Sequence, residues 1–165
     1  MAGRLAIKML VSPAAPQSIE LAYETLGAPY LRRRPHLPIS ISHSEDYAVA
    51  GIDSANSSPI GLDIEKIDPS SLHAMQRVAF SDRECEAGRG RNPEASFIIW
   101  TAKEAYLKYI KQGFHAGLKT IEILDGQIYH EQRRVAGLKL TTRRVFNDYL
   151  LSVVCRRRAT DQAPD

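Results

Sequence analysis

A chain of 165 residues with 44% hydrophobic and 25% charged residues is ordinary for a globular protein and long enough to bury a core without disulfides or structural metal. Its net charge of +3 is too slight to indicate nucleic acid by itself, though it suits an anionic ligand or an acidic protein partner. Two widely separated cysteines, Cys85 and Cys155, exclude a disulfide framework, and the absence of an eighteen-residue apolar run excludes a transmembrane helix. Met1 to Val11 carries Arg4 and Lys8 and lacks a signal-peptide cleavage pattern, so a cytoplasmic protein is expected.

In chain order, Leu5 to Leu10 alternates weakly and predicts an edge strand, followed by a breaker at Ser12 to Pro16. Ser18 has the character of a helix N-cap before Ile19, Leu21, Ala22 and Leu26, and Gly27 and Pro29 end that helix. Arg32 to Pro38 is a basic, proline-broken turn. Ile39 to Ser44 alternates apolar and polar as a half-buried strand, Tyr47 to Ile52 makes a second, Asp53 to Pro59 a polar turn, and Ile60 to Glu65 a third strand. A helical stretch runs from Asp68 through Phe80. Ser81 with Glu84 three residues on forms a capping box, and Gly88 to Pro93 reads as a loop. Ala95 to Lys111 is the strongest helix, with its exit marked by Gly113 and Gly117. Strands follow over Thr120–Leu124, Gln127–Gln132, Leu138–Thr142 and Tyr149–Arg156, and the fold class is α+β.

Two pairs of residues carry chemistry. Asp63 and Glu65 lie two apart on a strand, so both carboxylates project to one face and repel unless a cation sits between them; such hard oxygen ligands suit Mg²⁺. Glu104 and Lys108 lie four apart on a helix and share a face. Each pair alone reads better as surface charge. Ser42-His43-Ser44 closes a strand; no G-x-S-x-G elbow supports Ser/His catalysis, and no C-x-x-C or H-E-x-x-H accompanies His36 or His43 to support zinc.

The order of the motifs is more specific than any one of them. I-S-I-S-H-S at 39–44, I-G-L-D-I-E at 60–65, F-S-x-x-E at 80–84 and W-T-x-K-E-A-x-x-K at 100–108, preceded by Gly27-Ala28-Pro29, resemble the 4′-phosphopantetheinyl transferase superfamily, in particular its two-lobed branch. The resemblance implies that family's fold, an antiparallel sheet packed with two or three helices per lobe. It implies a Mg²⁺-dependent transfer of 4′-phosphopantetheine from coenzyme A to a serine of an apo acyl or peptidyl carrier protein. It further implies Asp63, Glu65 and Glu104 as metal ligands, Glu104, Lys108 and Glu84 as catalytic residues, and His43, Lys103, Ser42, Arg33 and Arg34 as coenzyme A contacts. Lys108 matches a lysine held to assist proton removal or the leaving group.

The expected organisation is a shortened first lobe over 1–58, a main lobe with the metal site over 59–158, and a disordered tail over 159–165. Departures from the family pattern are Ala28, where lysine is common, and Lys111, at a glycine position. The shortened lobe leaves a face for self-association, so a homo-oligomer is expected. Arg77, Arg83, Arg89 and Arg91 are candidate contacts for an acidic carrier helix. The alternative function is a non-catalytic module of the same fold that binds coenzyme A or a carrier protein. A nucleic-acid-binding reading resting on Arg32–Arg34 and Arg156–Arg158 lacks an aromatic-basic stripe.

Overall fold

A computed structural model describes residues 2–54, 58–87, 92–113 and 117–158. Its elements in chain order are α1 (Ala2–Val11), β1 (Leu21–Tyr23), β2 (Pro29–Leu31), β3 (Ile39–Ser44), β4 (Tyr47–Ile52) and β5 (Ile60–Lys66). They continue with α2 (Leu72–Ala79), α3 (Asp82–Glu86), α4 (Pro93–Tyr109), β6 (Ile121–Leu124), β7 (Gln127–His130), β8 (Arg133–Arg134), β9 (Leu138–Val145) and β10 (Tyr149–Arg156). All pairings are antiparallel: β1 with β2, β3 with β4, β5-β10-β9, and β6-β7-β8. The α+β class is as the sequence indicates.

Helix α4 organises the larger core. Every residue from Thr101 to Leu107 is buried, so this half of the helix is enclosed on all sides, and each polar side chain in it must find a partner inside. Thr101 does so through Ser152 of β10 at 2.8 Å, which in turn meets Thr142 of β9 at 2.7 Å. Phe97, Ala102, Tyr106 and Leu107 pack with Met75, Phe80, Ile121, Ile128, Leu150 and Val154. A second, smaller cluster joins Ile7 of α1 to Leu31 and Ile39.

Close approach of α4 to β5 depends on Gly61. A Cβ there would run into the carbonyl oxygen of Ala105 and lie 2.5 Å from the backbone nitrogen of Tyr109. Backbone cannot swing aside as a side chain can, so Gly61→Ala is expected to cost at least the ~1–3 kcal/mol usual for overpacking, measured by chemical denaturation.

The exit of α4 holds a residue out of type. Lys111 adopts φ +58°, its N–H bonds the Lys108 carbonyl at 3.3 Å, and the Gln112 N–H reaches back to the Leu107 carbonyl at 3.2 Å. This is a Schellman cap with lysine in glycine's place. Lys111→Gly is expected to raise stability by about 1 kcal/mol, seen as a higher melting temperature, because only glycine takes this conformation without a Cβ penalty. The exposed Lys111–Glu24 ion pair that it removes offsets little of that gain.

Two N-terminal expectations are corrected. Residues 2–11 form a helix, not an edge strand: Gly3, Ile7 and Val11 recur every four residues and face β3 and β4, with Ile7 fully buried, while Leu5, Met9 and Leu10 stay exposed. The stretch Ile19–Leu26 is not a helix. Leu21–Tyr23 pairs with Pro29–Leu31 across a tight turn in which Gly27 takes φ +86° and Glu24 and Ala28 are hydrogen-bonded, and Leu26 is exposed. The helix expected over Asp68–Phe80 is confined to Leu72–Ala79 after a short 3₁₀ turn at Pro69–Ser71. The short strand β8 was not expected; it follows a turn in which Glu131 and Gln132 both have positive φ. The capping box at Ser81 and Glu84 is present. The tail 159–165 lies outside the described residues.

Candidate active site

Strand β5 and helix α4 bring the two charged pairs together. Asp63 and Glu65 project from one face of β5, and Glu104 and Lys108, one turn apart on α4, reach the same cavity of about 710 Å³. The cavity is also lined by Ser42 and His43 of β3, Gly3 and Arg4 at the start of α1, and Tyr23 of β1.

Within the cavity Asp63 is held tightly. Its Oδ1 accepts from the Ser42 hydroxyl and from the Lys108 ammonium, both at 2.7 Å, and Lys108 also donates to Ser42 at 2.7 Å. Glu65 accepts from the Ser44 hydroxyl at 2.9 Å and from the Trp100 indole N–H at 3.4 Å. Two carboxylate oxygens, Asp63 Oδ2 and Glu104 Oε1, are buried without a hydrogen-bond partner.

Electrostatics follow from that crowding. Burial, opposed by Lys108, pushes the Asp63 carboxyl up; burial and then the charge of Asp63 push Glu65 up. Glu104, only 7% exposed, is pushed up to about 7, first by burial and then by Asp63. Three carboxylates forced together and stripped of water raise one another's proton affinity, and a cation removes the strain.

The donors fit a hard divalent cation. All are carboxylate or hydroxyl oxygens, and two of the oxygens are orphaned in a cavity open to a ligand. Among the described residues no three His, Cys, Asp or Glu side chains stand already closed as a metal cage. Asp63 Oδ1 is engaged by Lys108. The carboxylates line a wall, and Mg²⁺, which keeps waters and substrate phosphates in its shell, does not require a closed protein cage.

Four residues expected at the site lie elsewhere. Lys103 is 0% exposed and sits in the core on another side of α4 from Glu104. Its ammonium donates to Glu84 Oε2 and the Ala79 carbonyl, each at 2.6 Å, and to the Leu118 carbonyl at 3.2 Å, so it has no donor left for a phosphate. Glu84 is equally buried: its oxygens also accept from the backbone of Ser81 and Ile123. That carboxylate staples α3 to α4 and β6 and does not enter the cavity. Arg33 and Arg34 are exposed; Arg33 pairs with Glu20 at 3.4 Å, and neither lines the cavity.

Arg4 was missed. Its Nε donates to the Tyr23 hydroxyl at 3.0 Å and its guanidinium lies 5.2 Å from that ring's centre, which holds a permanent cation in the lining of the cavity that the carboxylates share. A helical reading of residues 2–11, with Gly3, Ile7 and Val11 on the buried face, would have placed Arg4 at its edge. The paired roles of Ser42 and Ser44 were also not evident from a short polar motif. Of the basic residues considered for docking, Arg83 is paired with Glu122 at 2.7 Å, Arg77 is exposed, and Arg89 and Arg91 lie outside the described residues.

Comparison with known proteins gives the family. A family model described as the 4′-phosphopantetheinyl transferase superfamily matches residues 59–154, the segment that carries Asp63, Glu65, Glu104 and Lys108. Similar proteins include a 4′-phosphopantetheinyl transferase of Bacillus subtilis, 29% identical over 112 residues (66% of this chain and 48% of the relative). Another is the 4′-phosphopantetheinyl transferase HetI of Nostoc sp., 34% identical over 116 residues (66% and 48%), and a third is psf-1 of Bacillus pumilus, 32% identical over 106 residues (61% and 44%). The chain spans about half the length of the curated relatives it matches. With the matched segment covering more than half of its residues, the chain belongs to the 4′-phosphopantetheinyl transferase superfamily.

Proposed function

We propose that this chain transfers the 4′-phosphopantetheine group of coenzyme A to a serine of an apo carrier protein, with Mg²⁺ held by Asp63, Glu65 and Glu104. The observation that carries the reading is the pair of orphaned buried oxygens, Asp63 Oδ2 and Glu104 Oε1, in a cavity that also presents Lys108, His43 and Arg4. Carboxylates for a metal and cations for phosphate in one cavity are what a metal-bound diphosphate would require.

In the reaction the acceptor serine oxygen attacks the phosphorus that bears pantetheine, the bond to the second phosphate breaks, and 3′,5′-ADP leaves. Bound Mg²⁺ supplies charge neutralisation on the diphosphate oxygens. Lys108, 29% exposed and steered by Asp63 and Ser42, offers its ammonium to the charge that builds on the departing phosphate. Glu104, whose Oε1 is buried in the cavity without a hydrogen-bond partner, would hold the cation together with Asp63 and Glu65, and the proton of the acceptor serine is released to water. His43 keeps the phosphate-binding place expected of it from sequence, and Arg4 takes the place expected for Arg33, Arg34 and Lys103. No helix among the described residues is long and apolar enough to cross a membrane, in line with a carrier-protein partner met in solution. The exposed Leu5, Met9 and Leu10 of α1 give the proposed self-association a surface.

The test is incubation of the chain with Mg²⁺, coenzyme A and several apo carrier proteins, read by intact mass. A mass gain of one phosphopantetheine, lost on addition of EDTA, is expected. No gain, with coenzyme A still bound in calorimetry, would establish the non-catalytic binding module instead.

A further inference from the structure

Strands β3 and β5 run side by side in the same direction but share no backbone ladder; their pairing partners are β4 and β10. What joins them is a row of serines. The Ser40 hydroxyl accepts from the Leu62 N–H at 3.0 Å, the Ser42 hydroxyl donates to Asp63 at 2.7 Å, and the Ser44 hydroxyl donates to Glu65 at 2.9 Å while accepting from the Lys66 N–H at 3.1 Å. Serines two apart on one strand meet carboxylates two apart on the other because both strands repeat with period two.

We infer that Ser44, acting with Trp100, is a positioning residue that sets the direction of the Glu65 carboxylate for cation binding. The inference rests on the metal site proposed above. Ser44 occupies Glu65 Oε2 and Trp100 occupies Oε1, so both oxygens are held by residues outside the cavity lining. Ser44 is itself fixed by the Lys66 N–H, so its hydroxyl hydrogen has one productive direction, toward Glu65. A carboxylate held in this way enters a metal shell without first losing its rotational freedom, and removing such a support typically weakens metal binding about 10–100-fold. Ser40 provides an internal control: it is the same kind of rung, buried, but it holds backbone only.

The experiment measures Mn²⁺ affinity by electron paramagnetic resonance on the full chain without coenzyme A, alongside melting temperature, for Ser44→Ala, Ser44→Thr, Ser40→Ala and Asp63→Asn. The expected result is that Ser44→Ala weakens Mn²⁺ binding about 10-fold with little change in melting temperature, and Ser44→Thr restores it. Ser40→Ala is expected to lower the melting temperature at unchanged Mn²⁺ affinity. If Asp63→Asn abolishes binding and Ser44→Ala leaves it as in the unaltered chain, the positioning role is overturned and the metal site stands. If Asp63→Asn binds Mn²⁺ as tightly as the unaltered chain, both fall. A loss in Ser44→Ala matched by an equal loss in Ser40→Ala also overturns positioning, since strand docking alone would then explain both.

Discussion

Glu104→Gln is expected to leave a folded protein that has lost at least about 10²–10³-fold in phosphopantetheine transfer and that, free of metal, is more stable than the unaltered chain at pH 8. The sign follows from burial. Between its ordinary value of 4.5 and about 7, the Glu104 carboxyl of the folded chain holds a proton that the unfolded chain has released. Folding stability from this group is therefore fully present below about 4.5, is lost as pH rises through about 7, and stays lost above it. The displacement corresponds to on the order of 3 kcal/mol. Asp63 and Glu65, both pushed up, act in the same direction. Denaturation in EDTA at pH 5.5 and pH 8 measures the slope: the unaltered chain loses stability over that interval, the glutamine variant loses less, and Mg²⁺ restores the unaltered chain at pH 8 while doing little for the variant. An unaltered chain whose stability does not respond to pH in that window, with or without Mg²⁺, would sink this account of the cluster.

Lys103→Met is expected to cost about 3–5 kcal/mol while leaving the KM for coenzyme A unchanged at temperatures where the variant is folded. The ammonium it removes is buried with Glu84 at 2.6 Å, and its loss leaves a carboxylate in the core without its charge partner. Burial lowers the Lys103 pKa, but Glu84 opposes that and keeps the pair together. Combining Lys103→Met with Glu84→Gln is expected to recover a large part of the loss, because the penalty in the single variant comes chiefly from the abandoned partner. A single variant that stays as stable as the parent but shows a raised KM would instead return Lys103 to the phosphate role that its motif implies.

Strong local signals were read correctly, and weak ones were decided by tertiary packing. The strands at Ile39–Ser44 and Ile60–Glu65 and the cap at Ser81 all depend on neighbours in sequence, and the structure keeps each of them, although Gly61 to Ile64 are buried in a row without alternation. Residues 2–11 were misread because the alternation was faint and the deciding fact, the burial of Gly3 and Ile7 against β3 and β4, is long-range. The carboxylates of the site were legible because spacing of two on a strand and four on a helix forces a shared face. Lys103 was not, because α4 is enclosed all round at that point. In a helix with an exposed face, a lysine reads as solvent-facing; here Lys103 has buried partners at the end of α2, on α3 and in the turn before β6, and Thr101 has one on β10, which no periodicity reports. Arg4 was hidden by the same error that made α1 a strand.

Lys103 and Glu104 are consecutive, roughly 100° apart around the helix axis, and each is committed to a different compartment of the molecule. One is locked to α3 through Glu84; the other faces the reaction cavity. With Gly61 letting the backbone of β5 lie directly under Ala105 and Tyr109, α4 can neither roll nor slide by a fraction of a turn without losing one or the other. The helix thus works as a keyed shaft, and the buried ion pair is the key. Under the proposed reaction the direction of Glu104 is therefore set as much by a buried ion pair outside the cavity as by the carboxylates that line it, and changes at Glu84 are a route to tuning the angle at which Glu104 is presented.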